Sequence, residues 1–469
     1  MLVKVNRRLL VTLGCTLAFI AVAIGISGQL GSTLTPYEYV PRAWAPARNA
    51  SAPGKNGKTT QESLHGESPK PVKKPDHVVV GAPTAAASDL SRTHNVVYSN
   101  TTTDGKYFLI DFGLEYQGMN PNIIAHPTLP DTWFVVAQQY KLPNITSVWF
   151  TELVCEATFQ DSTLKCAKSP LNLPIPGTHS PACHGDVEHF NMNIGPHDAR
   201  VFNGPVAPYI IFGSQSTVAC FGQWMQDFRR LVEWPGIPPM IDPFVHATDL
   251  QRPPPYGVLE KNWFVFWDVD GELYVHHDMA PQRAFSKLHL DGSVSEDLAP
   301  LASAKDKVCW QKHLDADAPT YKSIHQATNS LSITMCKRHD SSCQKTNDNT
   351  FIMEIFQHKS YNHFHSAYEP YVMLFKLMAP FEMHAISSKP IWIYGRGAAG
   401  EKRPPGHEDD AAWYETEMIY VTSMSWKTAG QNYHGYLDDV MFLGFGIEDE
   451  QAGGIDVVAA DVLRGLDLC

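Results

Sequence analysis

Charge is scarce in this chain: Asp, Glu, Lys and Arg together make up 18% of its 469 residues. What charge there is leans acidic, with 49 Asp and Glu against 37 Lys and Arg, a net of −12. No run of Lys and Arg offsets that balance, which argues against a nucleic acid as partner. Sustained helical periodicity is scarce beyond about residue 96, so an all-helical fold does not fit. The chain also lacks a Gly-rich phosphate loop, a Gly-x-Ser-x-Gly elbow and a zinc-protease motif. Disorder is excluded for the greater part of the chain, because 43% of it is apolar. Its 34 Pro, 32 Gly and 11% aromatic residues favour many short strands joined by turns.

Only one long hydrophobic run occurs. Leu9 to Ser27 is 19 residues without a charge, about 28 Å as a helix and enough to cross a bilayer. Lys4, Arg7 and Arg8 precede it, and no basic residue follows until Arg42. The positive-inside rule then leaves the N-terminus cytosolic and the remainder lumenal. The expectation is a cytosolic tail over 1–8, a signal anchor over 9–28, and a disordered Pro-rich stem over 29–95. A lumenal domain fills 96–469. A cleaved signal peptide and secretion are the alternative. Tail, single anchor, stem and large lumenal domain form the usual layout of a Golgi-resident glycan enzyme.

Cysteine usage agrees with an oxidising compartment. Cys15 lies in the apolar run, and eight further cysteines follow it. Proximity pairs Cys155 with Cys166, Cys183 with Cys220 and Cys336 with Cys343, leaving Cys309 for Cys469. Sequons at Asn49, Asn100 and Asn144 fit the same compartment.

The lumenal part reads as all-β. Short β-rich runs appear at Thr132–Ala137, Val206–Gly213, Trp263–Trp267, Glu272–His276, Phe351–Phe356, Tyr371–Phe375, Met418–Ser423 and Val440–Phe445. Polar loops such as NPNIIAHP, GPHDAR, EKN and HQATN precede several of them. A polar loop leading into a strand pair, repeated around the chain, predicts a five-bladed β-propeller whose loops meet at a central funnel. At roughly 75 residues per blade, insertions are required; they are expected at 220–258 and 296–323.

Chemistry-bearing residues stand on those loops. In Gly195-Pro196-His197-Asp198-Ala199-Arg200 an Asp and an Arg two apart can hold each other and grip sugar hydroxyls or a phosphate. Glu260-Lys261-Asn262-Trp263 combines acid, base, amide and indole, the mixture that sugar sites use. Glu369 precedes a strongly apolar strand, Asp449 ends one, and His325 lies on a loop entering another. Asp268-Val269-Asp270 matches an acidic metal-binding triplet in form, but Gly271 follows it between two strands, so it reads as a hairpin turn. His363 and His365 lack zinc-site spacing. No metal site or bound cofactor is expected.

The order HDAR, a Tyr-Ile-Ile-Phe strand, EKNW before a Phe-Val-Phe strand, a Leu-Tyr-Val-His return and Met279-Ala280-Pro281 resembles the fungal β-mannosyltransferases. More distantly it is similar to the five-bladed propeller mannoside phosphorylases and mannosyltransferases. The resemblance spans about residues 115–460 and includes the Tyr368-Glu369-Pro370 strand. It implies an inverting glycosyltransferase using GDP-mannose as donor and a glycan or glycoprotein as acceptor. Asp198 would be the acid/base carboxylate, Arg200 its support or a donor-phosphate ligand, and Lys261, Asn262 and Trp263 the sugar-site wall. His197 stands where that family has Glu, and Ala199 where it has Pro. A glycoside hydrolase or phosphorylase on the same propeller and a non-catalytic glycan-binding protein are the competing readings.

Overall fold

The computed structural model describes residues 90–140, 149–235, 243–313, 323–362, 365–401 and 414–469. The tail, the 9–28 segment, Cys15, most of the stem, Asn49, Asn144 and His363 lie outside the described residues. No helix among the described residues is long and apolar enough to cross a membrane.

Strands dominate, and most follow one another as antiparallel meanders. Gly118–Ala125 pairs with Trp133–Gln139, which pairs with Glu152–Gln160 and then Thr163–Cys166. His197–Asn203, Pro208–Gln215, Phe221–Asp227 and Thr248–Asp249 form a second meander. Phe264–Trp267, Leu273–Asp278 and Ala284–Lys287 form a third. A fourth runs through Leu331–Thr334, Thr350–Asn362, His365–Lys376 and Met383–Ser387. The last takes Ile419–Trp426, Val440–Ile447 and Gln451–Val458, and Phe108–Asp111 joins it to the first meander as one nine-stranded sheet.

Each expected β-run falls on one of these strands, for the expected reason: β-branched and aromatic residues between turn residues. The Asp268 triplet is a hairpin. Asp268 Oδ1 accepts the amides of Asp270 and Glu272, both at 2.9 Å. All four expected disulfides are formed, including Cys309–Cys469, which ties the Ser303–His313 helix to the last residue.

Two boundaries are corrected. Residues 220–258 are not an insertion throughout, since Phe221–Asp227 and Thr248–Asp249 complete a sheet. Within 296–323 the described residues up to 313 carry the Ser303–His313 helix. The stem ends earlier than residue 95, because Asn95 already pairs in parallel with Ile391 and its side-chain Nδ2 donates to the Asp461 carbonyl at 2.9 Å.

The leading strands of the meanders turn their edges toward one another. Gly118–Ala125, His197–Asn203, Phe264–Trp267 and Ile419–Trp426 each end their sheet, and the Gly118, His197 and Ile419 strands pack directly together. An unpaired strand edge buried away from water needs partners. Side chains supply them. Asn122 donates to the Ala199 carbonyl at 2.7 Å and accepts the Val201 amide at 3.0 Å, copying a ladder between two strands. Asn329 does the same for Met424 at 2.9 and 3.0 Å, and Gln357 for Val421 at 2.9 and 3.2 Å. Ser423 donates to the Pro121 carbonyl at 2.8 Å and Ser330 to that of Val265 at 2.7 Å. Around them lies the main core, with Val265, Ile333, Met424, Trp426 and Leu443 essentially inaccessible.

Asn122→Ala leaves a buried carbonyl and a buried amide without these bonds. The Ala199 carbonyl keeps a 3.3 Å bond from Arg200 Nη1, so the Val201 amide is the group left bare, and at about 1–3 kcal/mol for an orphaned group a loss of about 1–3 kcal/mol is expected in chemical unfolding. A loss under about 0.5 kcal/mol would show that the bridge is dispensable.

Candidate active site

The ends of several strands and the turns beside them meet at one mouth, and their backbone is unusual there. Nine described non-glycine residues have positive φ, and five of them belong to this mouth: Asn120 (54°), Asp198 (48°), Asn262 (61°), Glu448 (51°) and Asp449 (53°). Asn and Asp tolerate the left-handed region better than other non-glycine residues. Such strain persists where surrounding contacts over-determine it.

Asp198 is the best-held of them. The pairing of its strand slips between His197 and Arg200, a bulge that re-aims the intervening side chain. Its carboxylate accepts from Asn120 Nδ2 at 2.9 Å, and its amide donates to Gln138 Oε1 at 2.9 Å. Arg200 is buried beneath it and bonded to the main chain. Its Nη1 donates to the Asp198 carbonyl at 2.6 Å, and its Nε crosses to the Ala327 carbonyl at 2.6 Å.

Glu152 lies behind the same turn. It is fully buried, and its Oε1 accepts the Ala199 amide at 3.1 Å. Desolvation pushes its carboxyl up to about 8; the Ala199 amide opposes the rise, the Asp198 charge adds to it, and Arg200 opposes it.

Tyr420, Tyr368 and Asp449 complete the cluster. The two tyrosine rings lie 4.7 Å apart. Desolvation pushes the Tyr420 hydroxyl up to about 12, with Arg200 opposing and the charges of Asp198 and Asp449 adding. Tyr368 is raised by desolvation, then by Tyr420 and Asp449. Asp449 is raised by burial and by the Asp198 charge, while Lys359 and His365 pull the other way. Glu448 beside it is committed elsewhere, to His365 at 3.1 Å and the Met418 amide at 2.6 Å. Lys359 stands over the Tyr368 ring at 5.4 Å, and the His325 ring is 5.9 Å from it. Burial, with Lys359 adding, lowers His325 to about 4, so it is neutral near pH 7.

His197, Lys261 and Asn262 join Asp198 and Arg200 around a narrow cleft. Its free volume of about 10 Å³ is room for about one water. The His197 ring lies 3.8 Å from that of Phe150. Lys261 is exposed, with Nζ 5.1 Å from the centre of the Phe221 ring.

Other expected residues are placed differently. Trp263 is 2% exposed and belongs to the main core, edge-on to His277 at 4.5 Å, so its indole offers no sugar-facing surface. Glu260 is buried and bonded to Arg252 at 3.1 Å and to the Gly257 amide. Glu369 follows Tyr368 in one strand and so takes the opposite face. There it meets Arg396 and His94, each at 3.1 Å. Burial raises its carboxyl, but Arg396 and then the His94 bond overcome the effect and hold it below the usual range. Arg200 is a pillar of the turn, with Nε and Nη1 on carbonyls.

Asn120, Glu152, Lys359, Tyr368 and Tyr420 were not among the expected site residues. Asn120 opens the polar NPNIIAHP loop, which was a usable signal. Tyr420 and Glu152 lie inside apolar strands and carry none.

No family model matches the chain, and no curated protein matches it in sequence. Among solved structures it is similar to a β-1,2-mannobiose phosphorylase from Listeria innocua, at 9% identity and a TM-score of 0.42, over 77% of this chain and 93% of that one. It is also similar to a GDP-Man-dependent mannosyltransferase from Leishmania mexicana, at 10% identity and 0.40, over 76% and 90%. A glycosyl hydrolase from Bacteroides ovatus gives 10% and 0.38, over 77% and 90%. At these TM-scores the likeness is loose and transfers no residue role.

Glu152 makes stability depend on pH. Its proton is held to about pH 8 in the folded chain and lost near 4.5, its ordinary value, in the unfolded one. The unfolded state therefore ionises first, and this group's contribution is whole below about pH 4.5 and declines as pH rises to about 8. Glu152→Gln keeps the neutral shape at every pH. It is expected to unfold at least about 2 °C above the wild type at pH 8, the shift from about 1 kcal/mol in a chain this size, and to converge with it below pH 5. Parallel unfolding temperatures across that range would show that Glu152 ionises in the folded state.

Proposed function

We propose that this chain is a glycosyltransferase of the secretory pathway that transfers a hexose, mannose favoured, from GDP-mannose to a glycan or glycoprotein with inversion. On this reading residues 9–28 anchor it in the Golgi membrane with the strand-rich part lumenal. The five meanders are the blades of a propeller, and the mouth bearing Asp198 is the hub. The exposed sequon Asn100 and the four disulfides fit that compartment.

One observation carries the proposal. A carboxylate is fixed on a bulged, left-handed turn by Asn120 and by the Arg200-braced backbone, beside Asp449 and two tyrosines. Asp198 would take the acceptor proton, directly or through a hydroxyl or water, as that oxygen attacks the anomeric carbon. Charge developing on the departing diphosphate falls to Lys261 and Lys359, because Arg200 is occupied with carbonyls. Asn262 and His197 can bond sugar hydroxyls at the cleft. No metal is required by this scheme.

A glycoside hydrolase or phosphorylase is the second reading, and Asp449 favours it. Its carboxyl is raised by burial and by the Asp198 charge, and glycosidic cleavage uses a second carboxyl group that keeps its proton.

The test is to incubate the full chain with GDP-mannose and a mannoside acceptor, with an aryl-glycoside panel, and with mannobiose plus inorganic phosphate. Product from the sugar nucleotide supports transfer. Aglycone release or sugar 1-phosphate supports the second reading. Inactivity with retained glycan binding overturns both. Asp198→Asn keeps an oxygen for Asn120 and is expected to fold normally while turnover falls about 10²–10⁴-fold; undiminished turnover removes Asp198 from the role.

A further inference from the structure

Three contacts hold the main chain of the Asp198 turn, from Gln138, Glu152 and Arg200. Its carboxylate receives a single hydrogen bond among the described residues, from Asn120 Nδ2 at 2.9 Å. The main chain is therefore fixed more firmly than the acid it carries. Rotation about the side-chain torsions of Asp198 can re-aim the carboxylate, so its direction depends on where the Asn120 amide is seated. Asn120 is 5% exposed, on a left-handed backbone. Its seat is on the strand Val440–Ile447, whose end leads to Asp449.

Gly446 lies in that strand, opposite Tyr420 in one neighbouring strand and Ala452 in the other. Its backbone lies outside the left-handed region, so conformation alone does not call for glycine. What the glycine supplies is room. A methyl group on its Cα would run into Asn120 Oδ1, whereas the nearest main-chain atom, the Asn120 nitrogen, would stay at 3.6 Å. The obstruction is therefore between two side chains and not between backbones. Gly444, on the same strand, differs: a methyl there would press on the Pro121 carbonyl oxygen at 2.5 Å, a main-chain atom. Asn120 Oδ1 is buried and has no hydrogen-bond partner among the described residues, so Gly446 bounds that side of the amide by contact.

We infer that Gly446 is a positioning residue: its bare Cα is the slot that seats the Asn120 amide and, through it, aims the Asp198 carboxylate. The inference rests on the reading that Asp198 is the reacting acid, whichever glycosyl reaction it serves. It also makes the effect of position 446 conditional on Asn120. A side chain at 446 pushes the amide out of line with Asp198 Oδ1; where residue 120 has no side chain, it pushes on nothing.

Turnover by Gly446→Ala, Asn120→Gly and the double variant of the full chain tests it, with GDP-mannose and a mannoside acceptor, the aryl glycosides, and mannobiose plus phosphate as substrates. Glycine keeps the left-handed backbone at 120 without strain. Each single variant is expected to lose at least about tenfold in kcat with KM within about twofold of the wild type, since about 1 Å of misplacement can cost about 10²-fold in rate. The double variant is expected to match Asn120→Gly within about twofold, where independent sites would multiply their losses. Unfolding temperatures show which variants fold. If Gly446→Ala alone unfolds while the double variant folds with the turnover of Asn120→Gly, the slot is equally supported. Either single variant at wild-type kcat, losses that multiply, a loss carried by KM, a double variant that does not fold, or a wild type silent toward every substrate would each overturn the assignment. Gly446→Ala that transfers mannose as fast as the wild type removes this inference and leaves the proposed reaction standing. The same coupling seen in aglycone release or sugar 1-phosphate formation does the reverse.

Discussion

Where the leading strands come together, no sheet ladder runs between them, and amide and hydroxyl side chains take its place. Asn122, Asn329 and Gln357 each present a carbonyl and an amide in the spacing of a peptide group, so each closes a pair of backbone bonds across a seam. The remaining seams use single hydroxyls, as at Ser330 and Ser423. A buried edge that lacks such partners would leave donors and acceptors orphaned at about 1–3 kcal/mol each. Apolar contact is non-directional and tolerates sliding between sheets; a two-bond amide bridge does not. These seams therefore set the relative height of the strands, and with it the positions of the loops that open each strand.

Precision at the mouth follows from that. Asn122 braces Ala199 and Val201, one and three residues from Asp198, while Asn120, two residues before it, bonds the Asp198 carboxylate itself. One short stretch of the first meander thus secures both the strand that carries the acid and the acid. The left-handed turn at Asp198 is stable because Gln138, Glu152 and Arg200 each take a different main-chain group of it. Removing one contact leaves the others, so the turn is redundantly specified, as a reacting group must be when about 1 Å of misplacement can cost about 10²-fold in rate.

Much of this was legible in the sequence, and the limits have physical reasons. Strand positions could be read because β-branched and aromatic clusters between Pro and Gly carry that signal locally. Disulfide partners could be read because short separations in sequence, at Cys155–Cys166 and Cys336–Cys343, leave few options for the rest. Polar loops pointed to Asp198, Asn262 and Asp449. Strand phase was not legible. Tyr368 and Glu369 are neighbours, and only the pairing register decides which one faces the cluster. Trp263 has the chemistry of a sugar platform, yet its indole fills the main core. Glu152 and Tyr420 sit in strands whose letters read as core, and their importance arises from tertiary neighbours far along the chain.

Beneath the mouth, one buried polar chain extends the support outward. The Ala327 carbonyl that receives Arg200 follows Gln326, whose Nε2 donates to the carbonyls of His276 and His277 at 3.1 and 2.9 Å. His276 Nδ1 meets Gln326 Oε1 at 2.9 Å, and Arg283 Nε meets His276 Nε2 at 3.1 Å. An arginine can only donate, so Nε2 must accept and the ring proton must sit on Nδ1, facing the Gln326 oxygen. Burial, with Arg283 adding, holds the ring well below the ordinary histidine range, which keeps that neutral tautomer in place. Arg283 in turn is neutralised by Asp306 at 3.0 Å, on the helix tied to the C-terminus through Cys309–Cys469. Every link is directional. A helix supplied by an insertion and a disulfide at the last residue thereby reach, through three side chains and one peptide, the arginine that braces the Asp198 turn.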